Sequence, residues 1–328
     1  MKNENERYFT AQFKGSKAGL PMQSRRPFED NFMVVAIAQE GSFVRAATKL
    51  GITQATLTRK VQSLENDIGT KLFERTSRRV ELTRAGRLFV LESTISLNHA
   101  ERAWDLAHYQ AQMDSGPYRF GYSPYSHSAF LPTLNQLNLW LRSGRSERRG
   151  ITLESASTID LAERVLRGKL HAALGIRPVL DEDLWVQPVG REGFSLGVPK
   201  NHALAQKPVI TVLDLHGETT FWLPKSTHPG FYQKVVQYIR SAGAEPVFEE
   251  VKAMTHALSL VSHGFGVALL PRSASRISHM GVVFKPISDR YLRIETVLFM
   301  RRDQRQGKVQ ELIDELLQRL LSLKAEIN

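Results

Sequence analysis

The chain contains no cysteine. Disulfide bonds, thiolate metal sites and thiol catalysis are therefore excluded, which is compatible with a reducing compartment without proving one. The longest strictly apolar run, residues 32–38, is far too short to span a bilayer, as are shorter runs such as residues 267–270. The N-terminal residues contain no apolar core segment, so we expect no secretory signal. These absences lead us to expect a cytoplasmic protein with no membrane partner.

The composition is ordinary for a globular protein, but its charge is unevenly distributed. The length of 328 residues predicts two or three domains. Hydrophobic residues make up 42% and charged residues 23%. Residues 1–87 hold 16 Lys and Arg against 9 Asp and Glu, so +7 of the net charge of +11 lies in this part. Such a concentration of positive charge is typical of nucleic-acid binding.

Residues 42–68 predict two helices joined by a tight turn. Apolar residues recur at helical spacing in both halves, at Phe43, Ala46, Ala47 and Leu50, then at Leu57, Val61, Leu64 and Ile68. Ser42 and Thr53 stand where N-terminal caps are needed. Gly51 and Gly69 stand where the two helices end. An earlier helix is expected over residues 28–39, with Phe32, Val35 and Ala36 facing inward.

The second of these helices has a polar outer face that suits a DNA groove. No carboxylate precedes Glu65 in it, and Gln, Arg and Thr side chains can each contact base edges in the major groove. The predicted DNA-binding residues of this helix are Thr53, Gln54, Thr56, Thr58, Arg59, Lys60 and Gln62. An ordinary αα-hairpin within a helical core explains the same pattern about equally well.

The next segment favours the DNA-binding interpretation. Leu72-Phe73 and residues 80–82 predict two short strands around a basic tip, and Thr83 then caps another helix. A basic hairpin beside a recognition helix can reach phosphates or the minor groove. The predicted phosphate-contacting residues of this wing are Arg75, Arg78, Arg79 and Thr83.

At these residues the sequence resembles the winged helix-turn-helix of LysR-type transcriptional regulators. The matching residues are Gly41-Ser42-Phe43, Ala46-Ala47, Leu50, Gln54, Leu64-Glu65, Leu72-Phe73, Arg75, Leu82-Thr83 and Ala85-Gly86, in order and at matching spacing. Two positions depart from the family pattern. Val34 stands where the family usually has Phe, and Ala55 where Pro often begins the recognition helix. Neither threatens the fold, but Ala55 could alter helix entry and base preference.

A long amphipathic helix is predicted from Thr83 to about Met113. Its apolar stripe, which includes Leu88, Leu91 and Ile95, is too long for a small winged domain to bury alone. Such a helix usually pairs with a copy of itself, and the resemblance likewise implies the family's dimerising linker helix. A dimer would place two recognition helices roughly 34–36 Å apart and favour a two-fold symmetric DNA site.

From residue 118 onward, predicted strands alternate with helices. Strands at 119–122, 151–153 and 172–176 predict parallel βαβ units, and a second α/β unit follows residue 189. The stretches "VPKNHALA" (198–205) and "SLVSHGFGVALLP" (259–271) resemble the effector domain of the same family. That domain has two lobes of the periplasmic-binding-protein type, and the chain crosses between them twice. His171 stands where the family commonly has Asp, so we expect an altered local hydrogen-bond network.

The expected fold class is α/β, with an N-terminal winged helix-turn-helix, a long linker helix and a two-lobed effector domain like that of periplasmic binding proteins. The expected bounds are 28–87 for the DNA-binding domain, 88–114 for the linker helix, 115–190 with 287–328 for lobe I, and 191–286 for lobe II. Residues 1–27 are expected to be a disordered extension, with Met22 as an alternative start. Basic residues of this extension that could touch phosphates are Lys14, Lys17, Arg25 and Arg26.

Polar residues follow several predicted strands at the starts of helices. Ligands bind at the carboxyl edge of parallel sheets, where helix N-termini favour anions. The candidate effector-binding residues are Tyr122, Ser123, Tyr125, Ser126, Ser157, Thr158, Trp222, Lys225, Thr227 and His228. The resemblance implies a small inducer in this cleft and requires no cofactor. Each hydroxyl could instead be only a helix cap.

Three other motifs have plainer explanations. Residues 193–197 match the G-x-S-x-G nucleophile elbow, but no helix follows, so a serine within a strand is expected. His256 and His263 lack a ligand partner at metal-binding spacing, so ordinary hydrogen-bonded histidines are expected. The segment Gly264-x-Gly266 is not followed by the third glycine that a phosphate-binding loop requires.

Together these features predict a LysR-type transcriptional regulator and no enzymatic activity. The expected partners are double-stranded DNA, further copies of the chain through the linker helix and effector domain, a small-molecule effector for which a carboxylate is one candidate, and RNA polymerase. One alternative is an architectural DNA-binding protein whose C-terminal part only oligomerises. Another is an enzyme or solute-binding protein in which the helix-turn-helix is incidental.

Overall fold

The computed structural model describes residues 27–75, 80–126, 130–143, 150–177, 179, 181–276, 279–305 and 307–327. The chain divides between Ala103 and Trp104 into two compact units. The predicted N-terminal extension with its basic residues, and the wing tip at residues 76–79, lie outside the described residues. None of the helices among the described residues is long and apolar enough to cross a membrane.

The first unit contains helices and one antiparallel hairpin. Its elements are α1 (Pro27–Glu40), α2 (Phe43–Leu50), α3 (Gln54–Ile68), β1 (Phe73–Arg75), β2 (Val80–Leu82) and α4 (Arg84–Ser115). Helix α4 continues past the boundary between the two units. The helix-turn-helix and the hairpin are therefore formed where the sequence predicts them.

The capping residues explain why α2 and α3 begin and end where they do. The Ser42 side chain accepts a hydrogen bond from the Arg45 amide, and that of Thr53 accepts one from the Thr56 amide at 3.1 Å. Gly51, with φ of 67°, ends α2 in the left-handed region. Such a conformation strains any residue that has a Cβ, so a glycine is required at this turn.

The core of the first unit confirms the predicted stripes of α2 and α3 except at Ile68, which is 38% exposed, and it corrects α1. Leu57 and Val61 are completely buried. Phe32, which we expected to face inward, is 55% exposed, whereas Val34 and Ile37 are fully buried. Helix α1 is apolar on more than one face, so spacing alone could not identify its inner side.

The second unit is an α/β structure. Its elements are β3 (Tyr118–Tyr122), α5 (Phe130–Ser143), β4 (Ile151–Ser155), α6 (Thr158–Leu166), β5 (Ala172–Ile176), β6 (Leu184–Pro199), α7 (Ala203–Gln206), β7 (Thr219–Trp222), α8 (Pro229–Ser241), β8 (Val247–Glu250), α9 (Met254–Ser262), β9 (Val267–Pro271), β10 (Val282–Pro286), β11 (Arg293–Arg301) and α10 (Gly307–Ile327). Strands β8 and β10 were not anticipated from the sequence.

Two long strands join the lobes of this unit. The strand order is β4-β3-β5-β11-β6-β9-β7-β8, with β10 also paired to β6. Strand β3 is parallel to β4 and β5, and β7 is parallel to β8 and β9, as the βαβ pattern predicts. Strand β6, 16 residues long, pairs with β11 in the first lobe and with β9 and β10 in the second. The two-lobed fold is therefore confirmed.

His171, for which we expected an altered hydrogen-bond network, contacts the neighbouring strand β3. The residue is buried at the start of β5, and its Nδ1 accepts a hydrogen bond from the Arg119 amide at 2.9 Å. Its ring also lies edge-on to that of Tyr118, with the ring centroids 5.4 Å apart. The imidazole thus provides an acceptor for a partly buried backbone amide.

Candidate functional site

Helix α3 exposes one polar face. Because Leu57 and Val61 pack inward, the opposite side of the helix is left to solvent. The exposed side chains on that side, which we call the α3 ridge, are Gln54, Arg59, Lys60 and Gln62. Thr58 beside them is half-buried. The ridge has the donors and acceptors needed for contacts with base edges.

The side chains of the α3 ridge differ in how far they are already engaged. Within the described part of the chain, the side chains of Gln54 and Arg59 make no hydrogen bond or ion pair. Lys60 Nζ lies 3.4 Å from Glu29 Oε2, an exposed pair of little energetic weight. The hydroxyls of Thr53 and Thr56 are 2.8 Å apart and form the helix cap. Arg59 and Gln54 are therefore the side chains most available to a partner.

A buried carboxylate connects α3 to the hairpin. Glu65 Oε1 accepts hydrogen bonds from the amides of Leu72 at 2.9 Å and Phe73 at 3.3 Å, while Oε2 accepts one from Lys71 Nζ at 2.7 Å. Burial alone would raise the pKa of Glu65, but these hydrogen bonds outweigh it and hold the pKa below its ordinary value. The charged side chain thereby determines where the hairpin lies relative to α3.

Thr83, predicted to contact phosphate, has a structural role in this chain. Its hydroxyl accepts a hydrogen bond from the Gly86 amide at 2.9 Å, which caps α4, and donates to the Lys71 carbonyl at 2.7 Å. The backbone of Arg75 lies in β1, but its side chain is outside the description, as are Arg78 and Arg79 entirely. The phosphate contacts of the wing remain a prediction.

The first turn of α4 lies directly against the hairpin. A Cβ atom at Gly86 would collide with the Leu72 carbonyl oxygen, far inside the 3.0 Å that real Cβ atoms keep. Only a glycine permits this approach without a shift of the backbone. Gly86 and Glu65 therefore both contact the backbone at the start of β1 and position the hairpin.

Three of the predicted effector residues meet at the end of β5. The Ser123 amide donates to the Leu174 carbonyl at 2.8 Å. The Ile176 amide donates to Thr158 Oγ1 at 3.0 Å, and Nε2 of His228 lies 2.9 Å from the Ile176 carbonyl oxygen. The starts of α6 and α8, which belong to different lobes, therefore converge on the same strand end.

Other predicted effector residues in the first lobe line the same region or cap its helices. Ser157 accepts a hydrogen bond from the Asp160 amide at 3.1 Å, which caps α6. Ser126 donates from its hydroxyl to the Ser123 carbonyl at 2.6 Å and closes a tight turn. Tyr125 is buried with Ile176 in the core of the second lobe, and that burial raises the pKa of its phenol.

The remaining candidates do not join this group. Trp222 is buried in the core of the second lobe and packs on Phe194 and Phe231, so its indole supports the lobe rather than a ligand. Lys225 is exposed, and its amide donates to Glu250 Oε1 at 3.2 Å. The residues found only half-buried are Tyr122 and Thr227.

Sequence reasoning missed the basic residues beside the lobe crossings. Arg177 directly follows β5 and pairs with Glu295 of β11. Arg191 lies opposite Glu295 in the pairing of β6 with β11. The rule that selected the serines, a polar residue at the end of a buried strand, also applies to Arg177 and could have identified it.

Two of the remaining motifs, the G-x-S-x-G match and His263, make ordinary structural contacts. Ser195 is buried within β6 and pairs with Leu270 of β9, so the G-x-S-x-G match lies inside a strand. His263 Nδ1 lies 2.8 Å from the Ser259 carbonyl oxygen, an ordinary helix-end hydrogen bond. Among the described residues, no group of three or more His, Asp or Glu is placed to hold a metal ion.

Comparison with known proteins agrees with both units. Residues 31–87 match the model of bacterial regulatory helix-turn-helix proteins of the lysR family, and residues 111–321 match the LysR substrate binding domain. The HTH-type transcriptional regulator AlsR of Bacillus subtilis (strain 168) is 27% identical over 282 residues, which cover 85% of this chain and 91% of AlsR. The Hca operon transcriptional activator HcaR of Escherichia coli (strain K12) is 28% identical over 293 residues, with coverage of 89% and 97%.

Solved structures share the fold. Full-length BenM matches with a TM-score of 0.55 at 24% identity, covering 91% of this chain and 97% of BenM. Full-length CbnR in complex with its target DNA matches with a TM-score of 0.53 at 24% identity, covering 89% and 99%. Since the match to the LysR substrate binding domain alone spans more than half of the chain, this protein belongs to the LysR family of DNA-binding transcriptional regulators, in which a helix-turn-helix is joined to an effector-binding domain.

Proposed function

We propose that Gln54, Thr58 and Arg59 contact bases in the major groove, while basic side chains of the wing contact phosphates. The observation that supports this most directly is the exposure of the α3 ridge over a buried apolar stripe. A rigid helix with unengaged Gln and Arg side chains meets the geometric requirement for direct base contacts. Thr53, Thr56 and Thr83 then act by holding the helices and the hairpin in position.

We propose that α4 joins two copies of the chain. Leu88, Leu91 and Ile95 are 60%, 56% and 45% exposed, whereas Phe89 and Val90 pack against the core of the first unit. These three residues are three and four positions apart, so they share one face of the helix. Covering this face with the same face of a second chain removes apolar surface from water. The resulting dimer favours a two-fold symmetric DNA site.

We propose that the effector binds between the lobes at the end of β5. The starts of α6 and α8 face each other there, and helix N-termini favour negative charge. Ser123, Ser157 and Thr158 provide hydroxyls on the first lobe, while His228, whose two ring nitrogens are both engaged by backbone groups, holds the start of α8 beside them. A small carboxylate suits this combination of hydroxyls and helix ends.

Helix α6 provides a route from this site to the linker helix. Its N-terminus lies at the proposed effector site, while Arg167 at its other end forms an ion pair with Asp105 of α4 at 2.9 Å. Lys169 lies 3.7 Å from the same carboxylate, and Gly168 packs against Leu106. We propose that movement of α6 on effector binding changes the position of the end of α4, and with it the spacing of the DNA-binding units.

Family membership supports two further proposals. We propose RNA polymerase as a partner at the promoter, because the family consists of regulators of transcription rather than enzymes. We also propose a cytoplasmic location, where DNA and polymerase are both present.

The experiment that tests the DNA-binding proposal combines footprinting on upstream DNA with two substitutions. Arg59→Ala should cost about 1–3 kcal/mol of binding free energy and relax the preference at one base pair. Arg78→Ala should weaken binding to all DNA sequences similarly and reduce the salt dependence of that binding. If both substitutions act alike, the assignment of base and phosphate contacts is wrong. An architectural protein would show little sequence preference and no metabolite-dependent shift in thermal stability.

A further inference from the structure

A cavity lies beside the lobe crossings, on the side of α8 that faces the start of β11. Its volume is about 740 Å³, within the range of small-molecule sites. The apolar part of its wall consists of Phe231, Val235 and Leu292, all buried. None of the residues assigned to the inter-lobe effector site lines this cavity.

The cavity is strongly positive. Its basic lining residues are Arg177, Arg191, Lys234 and Arg293, and its acidic lining residue is Glu295. Arg177 forms an ion pair with Glu295, so these two charges compensate each other. The side chains of Arg191, Lys234 and Arg293 make no ion pair or hydrogen bond with any residue that the structure describes. With four basic residues and one acidic residue, the lining has a net charge of +3.

The sheet register directs these arginines into the cavity. Ile294 is buried in the core of the second lobe, so Arg293 and Glu295 on either side of it must point to the opposite face of β11. Arg191 lies directly across from Glu295, and Gly193 directly across from Arg293. Placement of the cations thus follows from a strand pairing that joins both lobes.

Gly193 provides the space in which the Arg293 guanidinium lies. A Cβ atom at this position would collide with Arg293 Nη1, well inside the 3.0 Å limit for real contacts. The guanidinium therefore rests against bare backbone, which leaves its donors free to turn toward the cavity. A guanidinium in this arrangement can form paired hydrogen bonds with a carboxylate or phosphate.

A hydrogen-bonded loop forms the rim. Tyr238 of α8 donates from its hydroxyl to Asp289 Oδ2 at 2.8 Å, and Asp289 also accepts from the Tyr291 amide at 2.7 Å. Burial alone would raise the pKa of Asp289, but its hydrogen bonds hold the pKa below the ordinary value. This carboxylate does not itself line the cavity, but it interacts electrostatically with Arg293, and its hydrogen bond to the Tyr291 amide holds that lining residue in place.

We propose that this cavity binds a small polyanion that bears two or more carboxylate or phosphate groups, at a site separate from the inter-lobe cleft. The converging cations account for the charge of the ligand, and the apolar wall favours a compact molecule over an extended nucleic-acid backbone. The bound molecule contacts α8 of the second lobe and both crossing strands. Its binding thereby stabilises one arrangement of the lobes, independently of the effector.

The direct test uses the full-length chain with three probes: inorganic phosphate, pyrophosphate and citrate. Thermal unfolding and isothermal titration are compared with sodium chloride at equal ionic strength, because salt alone screens charge repulsion. We expect saturable binding of one pyrophosphate or one citrate per chain, with a raised melting temperature. The probe that binds more tightly distinguishes a phosphate from a carboxylate ligand. If no probe binds saturably, the proposal is overturned.

Matched variants locate the binding. The double variant Lys234→Gln with Arg293→Gln should bind the probe at least about tenfold more weakly than the unmodified chain. Arg240→Gln, an exposed cation of the same helix that does not line the cavity, should leave the affinity within about twofold. Ser157→Ala in the inter-lobe site should also leave it unchanged. Equal loss in Arg240→Gln or Ser157→Ala overturns the assignment.

Two further measurements complete the test. The melting temperature of each variant in sodium chloride shows whether that variant is folded. If the double variant is not folded, the single variant Lys234→Gln is used in its place. DNA affinity of the double variant should equal that of the unmodified chain. If the double variant loses affinity for DNA but keeps its affinity for the probe, these cations bind DNA and the small-polyanion site is refuted.

Discussion

Nε2 of His228 donates a hydrogen bond to the carbonyl oxygen of Ile176, 2.9 Å away. The donor is identified by the other ring nitrogen, since Nδ1 accepts from the Phe231 amide at 3.4 Å and so bears no proton. His228 precedes α8 in the second lobe, and Ile176 ends β5 in the first. One buried side chain thus satisfies a backbone group of each lobe.

Replacement of this imidazole should destabilise the protein. His228→Phe keeps the ring volume but leaves the Ile176 carbonyl buried without a donor, which should cost about 1–3 kcal/mol of unfolding free energy. Urea denaturation followed by tryptophan fluorescence measures the change. The exposed His256 offers a control, because His256→Phe should alter stability by about 0.5 kcal/mol at most. Equal effects of the two substitutions would contradict a specific role for His228.

Removal of the buried carboxylate of α3 should disconnect the hairpin. Glu65→Ala leaves Lys71 and two backbone amides without their acceptor, and should cost about 2–4 kcal/mol. Asp67→Ala, two positions further along the same helix and exposed, should change stability by about 0.5 kcal/mol at most. Hydrogen exchange of the β1 amides should increase only in Glu65→Ala.

The contribution of Glu65 should depend on pH in a defined direction. Its pKa is depressed in the folded protein, so its stabilisation is present above the unfolded pKa of about 4.3 and is lost as the pH falls through the folded value. The difference in unfolding free energy between the unmodified chain and Glu65→Ala should therefore narrow from about pH 7 to about pH 3. A difference that is constant or grows on acidification would show that the charge of Glu65 is not the stabilising element.

Gly86→Ala should destabilise the first unit although it improves helix propensity. A glycine-to-alanine change within a helix ordinarily gains up to about 1 kcal/mol. Here the added methyl group meets the Leu72 carbonyl, so we expect a loss of about 1–3 kcal/mol instead. Ala85→Gly in the same turn should cost no more than the propensity difference of about 1 kcal/mol. Thermal unfolding measures the change in stability of both variants. A Gly86→Ala protein more stable than the unmodified chain would disprove the close contact.

Asp105→Asn should loosen the end of the linker helix. Asp105 and Arg167 are only 19% and 20% exposed, and the hydrogen bond from Arg167 chiefly holds the pKa of Asp105 below its ordinary value. Loss of the pair should cost about 1–2 kcal/mol and increase amide exchange in the turn around Leu106. Glu163→Gln removes the exposed partner of Arg167 and should leave that exchange unchanged. Unaltered exchange in Asp105→Asn would contradict a tight attachment of α4 to α6.

Local sequence was sufficient for the helix-turn-helix. The caps at Ser42 and Thr53, the terminal Gly51 and Gly69, and the inward Leu57 and Val61 all lie where spacing predicts them. These features depend on interactions between residues three or four positions apart, which a linear pattern contains directly. The family resemblance likewise depends on such local motifs.

Tertiary structure alone decided the positions that depend on distant partners. Trp222 and Phe32 were misassigned because an aromatic residue does not encode which neighbour will cover it. The basic cavity unites Arg177, Arg191, Lys234 and Arg293, which no local motif connects. Their convergence follows from the register of β6 against β11 and from the packing of α8. If β11 were shifted by one residue relative to β6, the Arg293 side chain would point into the core. Sequence determined the elements and their caps, and only the pairing of strands distant in the chain determined which charges meet.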